Sequence, residues 1–95
     1  MHERLRHFNQ LYQCQIGRVS IRKQKGRWGS ASKRSGNLNF NYRIAFLPPA
    51  LADLLVVHEL CHLIEANHSQ RFWEQVARSI PDYPLLRKEL RRYRF

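Results

Sequence analysis

The spacing of apolar positions changes character along the chain. Between residues 3 and 14, Leu5, Phe8, Leu11 and Tyr12 recur at helical intervals, which predicts a short amphipathic helix with Gly17 available to end it. "RVSIRKQ" (18–24) then alternates Val19 and Ile21 with polar neighbours, the period of a half-buried strand. "RWGSAS" (27–32) reads as a second short strand, and "KRSGN" (33–37) has the chemistry of a turn. "NLNFNYRIAF" (37–46) alternates through Leu38, Phe40, Tyr42, Ile44 and Phe46, which predicts a longer strand. Together these segments predict a small antiparallel sheet.

After Pro48-Pro49, a pair suited to a helix start, the period changes again. "ALADLLVVHELCHLIEAN" (50–67) is apolar nearly all round, the pattern of a central buried helix. Asn67 and Ser69 are both suited to a helix boundary. A further helix carries Phe72, Trp73, Val76 and Ile80 along one face and meets Pro81. From Asp82 or Tyr83 a last, basic helix follows, with Leu86, Leu90 and Tyr93 at i, i+4 and i+7. Helix, small sheet and three helices make an α+β domain, with one domain spanning 1–95.

The polar residues that interrupt the central helix carry the chemistry. His58 and His62 are four apart, so on a helix they lie about 40° apart on one face and one turn apart along the axis. Two imidazoles so placed can bind one Zn²⁺ without disturbing the backbone, and Glu59 between them can take a proton from a bound water. Burying His58, Glu59 and His62 together without a metal or strong partners would be costly. His68 supplies a third ligand if the chain turns back after the helix. Cys61 points about 60° from His58 and about 100° from His62, a poor direction for the same ion. His2 and His7, in the first helix, read as surface residues.

Composition adds a second theme. The 95 residues are 43% hydrophobic, ordinary for a folded domain, but 17 Lys and Arg oppose only 7 Asp and Glu, a formal charge of +10. Arg18, Arg22, Lys23, Lys25, Arg27, Lys33 and Arg34 form one basic stretch without an acid among them. Arg87, Lys88, Arg91, Arg92 and Arg94 form another, opposed by Glu89. Nucleic acid or nucleotide phosphates are therefore candidate partners beside a peptide or protein substrate. Cys14 and Cys61 make no CxxC pair and read as free thiols. No apolar run reaches the roughly 18 residues a membrane span requires, and the first ten residues have no signal-peptide core, so no membrane partner and a cytoplasmic location are expected.

"RWGSAS", "NLNFNYRIAFLPP" and "VVHELCHLIEANHSQRFW" together resemble the YgjP-like metallopeptidase-domain family, with SprT-type and Wss-type proteases as more distant relatives. The likeness runs from about Val19 to Pro84. It implies a zincin-like catalytic domain with His58, His62 and His68 as zinc ligands and Glu59 as general base. It also implies that Trp28, Gly29 and Ser30 form a structural segment near the sheet edge, and that Trp28 and Trp73 are core aromatics. Members commonly carry a further N-terminal region without a counterpart here, and Ala31 stands where the family often has a cysteine.

Zinc-dependent hydrolysis of a peptide bond is the leading expectation. Tyr42 and Arg43 are candidates for a second electrophile on location alone, and a free sheet edge would hold an extended peptide by strand addition. The same metal and nucleophile would serve a nucleoside-triphosphate pyrophosphatase, for which the basic run from Arg18 to Arg34 is the motive. A DNA-associated SprT-like protease and a non-enzymatic structural zinc module complete the alternatives. The module is disfavoured because structural sites are typically cysteine-rich.

Overall fold

The core is organised around one helix. The structure, a computed structural model, describes residues 1–23 and 25–93. Its elements are α1 (His2–Tyr12), β1 (Val19–Arg22), β2 (Gly29–Ala31), β3 (Leu38–Asn41), a 3-10 helix (Tyr42–Phe46), α2 (Pro49–Cys61), α3 (Gln70–Ala77) and α4 (Tyr83–Leu90). α2 starts with proline at its first turn and buries Leu51, Leu54, Leu55, Val56, Val57, Leu60 and Cys61 around nearly its whole circumference. α1, α3, α4 and β2 all pack against it, so residues on α2 are held from several sides.

The expected α+β architecture is present, but the sheet is mixed rather than antiparallel. Its order is β1-β3-β2, with β2 antiparallel and β1 parallel to β3. β2 and β3 form the hairpin, closed at 33–37 by Gly36 in the left-handed region (φ 76°), whose N–H donates to the Ser32 carbonyl. β1 reaches the other edge of β3 in register Val19 to Leu38. Alternation identifies a strand's faces and not the direction of its neighbour, so the parallel pairing was not readable from the pattern. The segment read as strand 18–24 runs to Arg22, and Gln24 lies outside the described residues.

Three boundaries also differ. The strand expected over 37–46 stops at Asn41, which is fully buried and caps the 3-10 helix. Its side-chain oxygen accepts from the Arg43 N–H at 2.9 Å and its amide donates to the Arg27 carbonyl at 3.0 Å. Beyond it the alternating apolar residues no longer share a face: Ile44 is buried, whereas Phe46 is 79% exposed. The first helix ends at Tyr12 rather than near Gly17. Gln13 takes the left-handed conformation, and the Asn9 side chain clamps the exit by bonding both the N–H and the carbonyl of Cys14. The central helix, expected to Asn67, ends at Cys61 and unwinds through tighter turns, with Leu63 donating to Leu60 and Ile64 to Cys61.

Cys14 and Cys61 are free thiols, as expected. Cys61 is completely buried, and burial pushes its thiol up to about 12, so it behaves as a small core residue. Among the described residues no helix is long and apolar enough to cross a membrane. The basic residues of the Arg18–Arg34 run are all exposed, and Arg94 lies outside the described residues.

Candidate metal centre and its cleft

The unwinding after Cys61 builds the site. Because the chain tightens at His62 instead of continuing, residues 63–67 loop back and deliver His68 to the face of α2 that carries His58 and His62. Ser69 then starts α3, its hydroxyl accepting from the Phe72 N–H. One ring nitrogen from each of His58, His62 and His68 lies within 4.8 Å of the other two. Nε2 of His68 is 3.0 Å from Nε2 of His62 and 3.1 Å from Nε2 of His58.

The outer nitrogens decide what this convergence can hold. Nδ1 of His62 faces the Glu65 carbonyl oxygen at 3.3 Å, and Nδ1 of His58 faces Glu59 Oε2 at 3.3 Å. Both oxygens only accept, so each Nδ1 carries the hydrogen and each Nε2 turns a lone pair inward. His68 Nε2 can donate to one of these at most, which leaves converging lone pairs short of hydrogens. A cation answers that shortage, and three imidazole nitrogens are a donor set for a divalent transition metal. The ionisation of the imidazoles agrees. His62 and His68 are both lowered from 6.5, chiefly by burial and then by the neighbouring imidazoles, which favours the neutral form that ligation requires.

Aromatic rings fix the imidazoles. Phe72, wholly buried, has its ring centroid 5.1 Å from His58, 4.5 Å from His62 and 5.0 Å from His68. Trp73 lies 5.9 Å from both His58 and His68 and stacks on Tyr83 at 5.0 Å. Trp73 is therefore half-buried at the edge of the centre rather than a core aromatic in full.

Glu59 is 4% exposed, on the flank of α2 beside His58, and opens into a cleft of about 370 Å³. Leu54, Leu55, His58 and Glu59 form its floor, Trp28 and Gly29 one wall, and Arg87, Leu90 and Arg91 the other. Gly29 lets β2 press close. A Cβ there would meet the Asn39 carbonyl oxygen at 2.8 Å and Glu59 Oε2 at 3.2 Å. Neither Tyr42 nor Arg43 lines this cleft. They border a neighbouring hollow with Phe46, Leu47 and Tyr93, on the other side of Trp28, whose side chain lines both. Cys61 is not part of the histidine group. Arg87 and Arg91 escaped sequence reasoning as cleft residues. Their i, i+4 spacing was visible, but nothing local says which way α4 faces.

The family described as YgjP-like, metallopeptidase domain, matches residues 1–93. The chain belongs to the YgjP-like metallopeptidase-domain family. No curated protein matches it significantly. Among solved structures, this YgjP-like domain is similar to the metallopeptidase zymogen abylysin of Pyrococcus abyssi, at 25% identity and a TM-score of 0.77, over 84% of this chain and 79% of that one. It also shares the fold of the metallopeptidase zymogen jannalysin of Methanocaldococcus jannaschii, with a TM-score of 0.81 at 18% identity, over 96% of this chain and 93% of that one. The YgjP-like assignment implies a metal, and the three histidines are the group among the described residues that could hold it.

Proposed function

We propose that this YgjP-like domain is a zinc-dependent metallopeptidase in which His58, His62 and His68 hold the ion and Glu59 is the general base. The observation that carries the reading is the inward convergence of three imidazole nitrogens beside a buried glutamate that lines an open cleft. Zinc suits a donor set of three imidazoles, and such a set leaves a coordination position for reaction. Bound there, it would supply Lewis acidity toward a scissile carbonyl and lower the pKa of water.

The chain's own residues do the rest. Glu59 takes the proton of the attacking water and passes it to the departing amine. Its burial keeps the carboxylate out of bulk solvent, and the close approach of Gly29 confines it to the cleft side of α2. The Glu65 carbonyl orients the His62 imidazole from behind. Among the described residues β2 pairs only with β3, so its outer edge is available to an extended peptide by strand addition, directly beside Glu59.

Glu59→Gln tests the assignment, with zinc content and peptide hydrolysis measured on the same preparation. The expected result is retained zinc with hydrolysis lowered by at least about a hundredfold, the lower end of what general base catalysis contributes. Undiminished hydrolysis would remove Glu59 from the mechanism. Loss of zinc in His58→Ala, His62→Ala and His68→Ala is expected in parallel.

A further inference from the structure

The wall of the cleft formed by α4 is cationic, and nothing in the proposed chemistry uses it. Arg87 and Arg91 are one helical turn apart and both line the hollow that contains His58 and Glu59. The Arg87 guanidinium lies 4.2 Å from the centroid of the Trp73 ring, and that ring stacks on Tyr83 within 14° of parallel. Arg87 is thus held in place by an aromatic support, and among the described residues it makes no ion pair. Among the described residues Glu59 is the one acid lining the cleft, and the proposed mechanism already engages it.

We infer that Arg87 and Arg91 form a specificity subsite that takes a carboxylate of the peptide substrate beside the scissile bond. This deepens the peptidase reading and rests on it. A guanidinium presents its donors as a planar fork matched to a carboxylate, and two such forks on one wall create a local positive field facing the floor where Glu59 sits. At about 370 Å³ the hollow is at the small end of ligand pockets, which run from about 300 to 1,000 Å³. It therefore suits one acidic side chain or a terminal residue and not a long polyanion. Leu54, Leu55 and Leu90 complete the hollow as an apolar lining that would cover the stem of such a residue. The carboxylate has two sources, an Asp or Glu side chain and a free C-terminus.

The test uses zinc-loaded protein and quenched fluorogenic peptides made as matched pairs, Glu against Gln at each position and free acid against amide at the C-terminus. The wild type should favour one carboxylate member in kcat/KM by about ten- to a hundredfold, the range of a charge-assisted hydrogen bond, and the favoured pair identifies the source. Arg87→Ala and Arg91→Ala should collapse that ratio, whereas Arg87→Lys, which keeps the charge without the fork, should retain part of it. Zinc content measured alongside separates a lost subsite from a lost fold. As a readout independent of turnover, zinc-loaded Glu59→Gln titrated with the favoured peptide should report binding through Trp73 and Trp28 fluorescence, weakened about tenfold or more when Arg87→Ala is added. Peptide cleavage with equal rates within every pair, or a preference that survives both arginine variants, would overturn the subsite and leave the peptidase reading standing. Pyrophosphate release from nucleoside triphosphates with no peptide cleavage would overturn both.

Discussion

A single hydrogen atom at position 29 decides how close β2 comes to Glu59. With a Cβ in its place, the Asn39 carbonyl at 2.8 Å belongs to the sheet and cannot yield, so the strand or the glutamate must move. Gly29→Ala should therefore cost about 1–3 kcal/mol, the usual range for forced overpacking. It should also lower peptide hydrolysis while zinc content stays near wild type, because none of the three histidines is touched; urea unfolding and metal analysis on one sample check both. At this scale His58, Glu59 and His62 were legible, since a helical i, i+4 pair has a fixed geometry and a glutamate in an apolar helix demands a partner. The arginines opposite were not, because their role depends on where a distant helix docks.

Ser69 shows how an element boundary serves the site. It follows His68 directly and caps α3, so the turn that delivers the third imidazole and the start of the next helix are one construction. Ser69→Ala should destabilise the protein by about 1 kcal/mol and weaken zinc binding, while Ser69→Asp should preserve both; thermal melts with and without zinc distinguish them. The sequence announced this boundary through a residue type suited to capping. It misplaced others where the deciding contact was long-range. Alternation through Phe46 hid the strand's end because Asn41 caps from a buried position that its neighbours do not reveal. The largely apolar pattern that continues past Cys61 through Leu63 and Ile64 hid the end of α2, because that side of the molecule stays partly buried whether the backbone is helical or tightly turned. The parallel pairing of β1 with β3 lay beyond any local signal, since two alternating segments look alike in either direction.

For the whole molecule, 95 residues bury a limited core, so a ligand that binds only the folded state matters. Chelation should lower the melting temperature, and zinc should restore it in proportion to the logarithm of its concentration. Acid should act in the same direction. His62 and His68 have folded values below 6.5, so as pH falls through 6.5 the unfolded chain takes up protons first and the metal-free fold loses stability until both histidines are charged in either state. Proton competition should empty the zinc site over the same descent; melts and metal content recorded from pH 8 to pH 5 test this, and an acid-insensitive zinc content would contradict ligation by these imidazoles. The ring of Phe72, in contact with His58, His62 and His68 at once, gives this behaviour a mechanical side. The three imidazoles come from two stretches of chain, yet they share one hub in α3, so Phe72→Ala should disturb all three at once and lower zinc affinity in a metal titration. The seating of that one helix therefore sets the spacing of the whole group.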